Sequence, residues 1–146
     1  MATIEISLPT PHEKQQHILD NAKRFNHLRC GRRFGKTELI KELSSIILDG
    51  EPVGIWYPTY KDGREVWEGL KKTYKEVIKK KDETNHMMWF VTGGKLDMWA
   101  MENPESGQGY KYKRAIIDEF AKMSIHKGKH AWQNTIRPTL TDFAGS

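Results

Sequence analysis

Glycine, lysine and threonine stand together at Gly35-Lys36-Thr37, inside the run CGRRFGKT of residues 30–37, and two carboxylates, Asp118 and Glu119, close the apolar segment AIIDEF of residues 115–120. Backbone N–H groups at such a glycine loop can wrap a β-phosphate, with the lysine ammonium on the β and γ oxygens and the threonine hydroxyl on a magnesium ion. The positive end of the helix that follows faces the same anion. A strand ending in two acids supplies the other half of the chemistry. Asp118, nearer the strand, would hold Mg2+ directly or through water, and Glu119 would polarise the water that attacks a γ-phosphate. Taken singly, the triplet is weak evidence and the acid pair reads as an ordinary strand end with solvated carboxylates. Occurring together and in this order, they predict magnesium-dependent hydrolysis of a nucleoside triphosphate, ATP being the expected substrate.

These residues need a scaffold that brings residue 36 to residue 118. Thr10-Pro11-His12-Glu13 offers an N-cap threonine and a proline at the first helical position, and Ile18, Leu19, Ala22 and Phe25 continue at helical spacing to about Arg24. Phe25 to Cys30 is a short strand candidate leading into the glycine loop. Leu39, Ile40, Leu43, Ile46 and Ile47 lie on one face of a second helix that Gly50 can stop. Val53 to Tyr57 reads as a buried strand. Asp62 and Glu65 can cap a third helix bearing Val66, Trp67, Leu70, Tyr74, Val77 and Ile78, with lysines 79–81 as its solvated end. Met88–Val91 and Leu96–Met101, joined through Gly93-Gly94, predict a β-hairpin. A loop rich in Gly, Pro and Ser leads to the strand Arg114–Asp118, and Ala131–Ile136 can form a helical turn. Strands separated by helices at this spacing predict an α/β fold, a three-layer architecture around a mostly parallel sheet, with ligands at the carboxyl ends of the strands.

The chain has 146 residues, near the usual size of one domain, and 37% of them are hydrophobic, enough for a real core. Its 24 Lys and Arg against 19 Asp and Glu leave a net charge of +5, a mild bias toward anionic partners that simple solubility explains as well. A single cysteine, Cys30, excludes an internal disulfide and a cysteine-based metal site. Of the six histidines only His126 and His130 stand at HxxxH spacing, with no cysteine or third histidine beside them, which argues against zinc. No apolar run reaches the length of a membrane span. The five tryptophans read as packing residues, and lysines 71, 72, 75 and 79–81 as a solvated surface or a basic face near DNA.

GRRFGKT, the PTY of residues 58–60, IIDEF and the IRPTL of residues 136–140 follow one another in the order found in the large terminase subunit of tailed bacteriophages, and nearly the whole chain from Pro11 onward resembles that protein's amino-terminal ATPase region. The resemblance implies a P-loop NTPase fold of the ASCE type and a motor that uses Mg-ATP to drive double-stranded DNA into a capsid. By position, Gln15 resembles the glutamine that contacts adenine, and Gly31, Arg32, Arg33, Phe34, Gly35, Lys36 and Thr37 the phosphate loop. Arg32 resembles the loop arginine that meets transferred charge, Thr37 and Asp118 the magnesium ligands, and Glu119 the catalytic acid. The small terminase subunit, a portal, a homo-oligomeric ring and the cytoplasm of an infected bacterial host are implied in the same way. Arg32 and Arg33 also read as solvated loop charges, and Gln15 as a polar helix residue.

Two departures accompany the resemblance. Cys30 stands where the general phosphate-loop pattern has its first glycine. The strand expected after the catalytic acids and the nuclease carboxylates are not found by Ser146, so the chain is expected to be the front part of a longer polypeptide, its sheet incomplete at the carboxyl end. A helicase-like nucleic-acid translocase shares the Gln, GKT and DE signals. An inactive terminase fragment recognised by another protein, such as a host immune sensor, is the third reading.

Overall fold

The computed structural model describes residues 6, 8, 10–26, 35–140 and 145. Within them run strands β1 (Pro52–Tyr57), β2 (Ile78–Asp82), β3 (Met87–Phe90), β4 (Lys95–Ala100) and β5 (Arg114–Ile117), and helices α1 (Glu13–Asp20), α2 (Lys36–Leu43), α3 (Tyr60–Thr73), α4 (Ile125–His130) and α5 (Arg137–Thr139). The strands form one sheet in the order β2-β3-β4-β1-β5. β1 lies parallel to both β4 and β5, with Ile55 opposite Met98 on one side and Ile116 on the other, while β2 and β3 extend the sheet antiparallel. A strand flanked in this way is covered on both faces and must be apolar throughout, as PVGIWY is.

The side chains of β1 divide the core in two. Val53, Ile55 and Tyr57 pack with Leu96, Met98 and Ile116 beneath Ile40 of α2 and Val66, Trp67 and Leu70 of α3. Trp56 faces the other way, into a second cluster with Met101, Tyr112, Ala131, Ile136 and Leu140. Helices on one side and the 131–140 segment on the other give the three layers expected, and the predicted hairpin is present with Met88 opposite Leu96. The tryptophans pack as expected: Trp56 and Trp67 are buried, and the indole N–H groups of Trp56, Trp67 and Trp99 donate to Ser106 O, Glu83 and the Tyr112 hydroxyl.

Several elements differ from the sequence expectation: α1 ends at Asp20 rather than near Arg24, α2 ends at Leu43 and passes into a 3-10 helix over Ser44–Asp49, and α3 is capped by Thr59 rather than Asp62. The third helix does not continue to Ile78: α3 stops at Thr73, and lysines 79–81 lie on the outer strand β2. Leu70, Tyr74, Val77 and Ile78 keep a helical stripe in the sequence, yet Ile78 pairs with Phe90 across the sheet. An outer strand needs only one covered face and uses exposed lysines to block further pairing, which erases the alternation by which strands are recognised. At the start of α1 the cap is His12 rather than Thr10. The His12 ring accepts Gln15 N–H at 3.3 Å and Gln15 Oε1 accepts His12 N–H at 3.0 Å, a reciprocal capping box that fixes the helix start two residues later.

Among the described residues β5 has one strand partner, β1. Residues 114–117 of β5 line a cavity of about 830 Å³ together with residues 22–26, Leu39, Ile40, Leu43, Trp132 and Leu140, and Lys36, Asp118 and Glu119 belong to the same lining.

Candidate functional site

Parallel pairing brings the carboxyl ends of β1 and β5 to one edge of the sheet, where Asp118 N–H donates to Trp56 O at 3.0 Å. The amino terminus of α2 arrives at the same place. Gly35 precedes it with φ of 83°, a left-handed conformation that glycine adopts without a steric penalty. A Cβ at this position would stand 2.6 Å from Gln15 Nε2 and push that amide aside, so the backbone angle is the main requirement for glycine. Gln15 itself, buried in α1, donates from Nε2 to Gly35 O at 2.9 Å while its Oε1 holds His12 N–H. One side chain thus fastens the first helix to the start of the second.

Lys36 lies between the two acids. Its Nζ is 3.4 Å from Asp118 Oδ1 and 3.3 Å from Glu119 Oε1. Partial burial opposes its charge, but the two carboxylates outweigh that cost and hold the Lys36 pKa above its ordinary value. Asp118 Oδ1 also accepts Glu119 N–H at 2.8 Å. Glu119 has φ of 56° without being a glycine, a conformation that costs on the order of 1 kcal/mol and is concentrated at functional sites. That turn directs the Glu119 carboxylate to the Lys36 ammonium instead of letting it follow the strand direction.

A second lysine holds the outer side of the pair. Lys122, on the turn after Glu119, lies 3.8 Å from Glu119 Oε2 and donates to Asp62 Oδ1 at 3.0 Å. Asp62 in turn accepts the Thr59 hydroxyl at 2.9 Å, and Thr59 caps α3. Lys122 first, and then Thr59, hold the Asp62 carboxyl below the usual range. The PTY segment is therefore linked to Glu119 through Asp62 and Lys122. Beneath the acids the Tyr57 hydroxyl is buried and has no hydrogen-bond partner. Burial, and next the Asp118 carboxylate, push its pKa up.

Gln15, Gly35, Lys36, Thr37, Asp118 and Glu119 are all described, and Lys36, Asp118 and Glu119 meet directly although 82 residues separate the lysine from Asp118. Thr37 is the second residue of α2. Gly31, Arg32, Arg33 and Phe34 lie outside the described residues, as do residues 27–30 of the Phe25–Cys30 strand expectation, whose first two residues are described and belong to no strand. Sequence reasoning passed over Tyr57 and Lys122. Tyr57 looked like one more core residue of an apolar strand, and Lys122 stands in a segment with no periodic signal. Arg114 was also unforeseen: it donates from Nη1 to Leu43 O at 2.8 Å, tying the start of β5 to the carboxyl end of α2, where a cation suits the helix dipole.

Among the described residues no cluster of three or more His, Cys, Asp or Glu could enclose a metal ion. Two adjacent carboxylates and a hydroxyl-bearing residue are a hard-oxygen set of the kind magnesium uses when phosphates and water complete its coordination. The residues present therefore fit Mg2+ held together with a nucleotide better than an ion held by protein alone.

No protein-family model matches this chain, and no curated protein does. Solved structures do. The large terminase ATPase domain of Thermus phage P74-26 aligns with a TM-score of 0.76 at 18% identity, covering 93% of this chain and 62% of that one. An arginine-to-alanine variant of the same domain aligns with a TM-score of 0.78 at the same identity and coverage. This chain therefore has the fold of a large terminase ATPase domain and spans somewhat under two thirds of its length. No helix among the described residues is long and apolar enough to cross a membrane.

Proposed function

We propose that this chain is the ATPase part of a viral DNA-packaging motor, in which hydrolysis of Mg-ATP drives double-stranded DNA into a capsid. The observation that carries the proposal is the meeting of Lys36 with Asp118 and Glu119 at the amino end of α2, in a chain with the fold of a large terminase ATPase domain. Without phosphate, the ammonium offsets part of the charge of the two carboxylates. When ATP arrives, Lys36 exchanges the carboxylates for β and γ oxygens, and the acids are released for their own work. Thr37 and Asp118 would hold the magnesium ion, which when bound neutralises charge on the phosphates. Glu119, whose backbone turn sets its carboxylate apart from Asp118, accepts the proton of the attacking water. Arg32 is proposed to meet charge on the transferred phosphoryl group, with Gly31, Arg33, Phe34 and Gly35 forming the loop and Gln15 contacting adenine.

Double-stranded DNA, a small terminase subunit, a portal and further copies of the chain in a ring are the partners this reading proposes, and the cytoplasm of an infected bacterium its place of action. The likeness in fold supports it over a helicase-like translocase. The test is phosphate release from ATP by the purified chain with and without Mg2+, for the native protein and Glu119→Gln. The variant is expected to bind ATP and to lose turnover by about 100-fold or more, since general-base assistance contributes 10²–10⁴-fold. Unchanged turnover in the variant removes Glu119 from the catalytic role.

A further inference from the structure

We infer that the Tyr57 hydroxyl fixes the Asp118 carboxylate for a divalent cation, making Tyr57 a positioning residue of the site. The inference rests on the nucleotide-site reading and adds to it a residue that takes no part in hydrolysis itself. Three observations carry it. The hydroxyl is a buried polar atom with no partner in a side chain 1% exposed, an arrangement that folded proteins avoid unless the group has another use. It lies beneath the acid pair, since β1 and β5 are in register up to Trp56 opposite Ile117 and the next residues on each strand are Tyr57 and Asp118.

The third observation is that α3 is built around this ring. Gly63, buried in the first half of the helix, would place a Cβ 2.7 Å from Tyr57 Cδ2 and 2.8 Å from Met98 Sδ. Glycine inside a helix is unfavourable, and here it makes room for an aromatic ring whose hydroxyl has no partner in the core. A phenylalanine would fill the same volume without an orphan polar atom. What distinguishes tyrosine is a donor on the strand position beside Asp118, one oxygen of which already accepts Glu119 N–H and Lys36. Withdrawal of Lys36 toward phosphate leaves that carboxylate short of a donor, and the Tyr57 hydroxyl is the neighbouring group able to keep it from turning.

The test uses the full chain and a fluorescent ATP analogue. Affinity is measured in EDTA and in Mg2+, and the ratio of the two dissociation constants reports how much the metal contributes. Tyr57→Phe is expected to leave the EDTA affinity unchanged, to leave the melting temperature equal or higher, and to lower the metal ratio about tenfold, the worth of one hydrogen bond to a charged group. A purely structural tyrosine would leave the ratio as in the native chain, and that result overturns the inference. If the native chain shows no metal ratio at all, the nucleotide-site reading fails and this inference with it, so the two failures are told apart by the native measurement.

Discussion

Replacing Gly63 by alanine sets two known quantities against each other on one helix. Alanine inside a helix is favoured over glycine by about 1 kcal/mol. At residue 63, however, the new methyl would stand 2.7 Å from Tyr57 Cδ2, 3.1 Å from its Cγ and 2.8 Å from Met98 Sδ, all in fully buried side chains that cannot swing away. Overpacking of this kind costs roughly 1–3 kcal/mol, and little of it can be relieved in a close-packed core. The net expectation is a loss of about 0–2 kcal/mol, or up to roughly 8 °C in melting temperature for a chain of this size. Gly69, six residues further along α3, supplies the control. A methyl there meets only Lys41 Cε at 2.9 Å and Nζ at 3.4 Å, the free end of a flexible side chain, and displaces at most an ion pair between Lys41 and Glu38. Such a pair contributes about 0.2–0.5 kcal/mol, so Gly69→Ala should stabilise by a few tenths to about 0.8 kcal/mol. Thermal unfolding followed by circular dichroism reads both. Equal stabilisation by the two substitutions would refute the packing argument and show that the Tyr57 ring is free to move.

Asp97 on β4 is fully buried, with Oδ1 unpartnered and Oδ2 held by the Tyr112 hydroxyl and Lys95. Burial raises its pKa despite both partners, so the folded state binds its proton more tightly than the unfolded chain does. Its contribution is therefore most favourable below the unfolded carboxyl range and is lost as pH rises through the folded pKa. Asp97→Asn should gain stability relative to the native chain as pH rises from about 4 toward 7; a constant difference in denaturant midpoint across that range would contradict the assignment. Gln15→Ala removes the links to His12 N–H and Gly35 O and should cost about 1–3 kcal/mol of stability. With the proposed adenine contact it should also reduce preference for ATP over GTP, whereas equal losses for both nucleotides confine Gln15 to fastening α1 to α2.

The layers and the central strand were legible because burial on both faces leaves β1 no polar residue and because Leu39 and Ile40, with Val66, Trp67 and Leu70, keep a helical period. The pair Asp118-Glu119 was legible as chemistry because two acids end an apolar strand. Much of what holds that pair in place was not. Lys122 and Asp62 meet across 60 residues, and neither stands in a pattern that predicts the other. The left-handed turn at Glu119 has no sequence sign, since glycine is the residue that normally marks one. Strand β2 was hidden because its outward positions are lysines, and the 125–136 helical segment because Ile125, Ala131, Trp132 and Ile136 are too few to show a face on their own.

The proposed nucleotide site depends most on Lys36 leaving two carboxylates for the phosphates of ATP. Equilibrium binding of Mg-ATP to the native chain and to Lys36→Ala tests this directly. Losing a charge-assisted contact to phosphate should weaken binding by roughly 10- to 150-fold, while native Mg-ATP affinity exceeds that for adenosine, which offers no phosphate. Equal affinity of the native and variant chains for Mg-ATP would contradict the account.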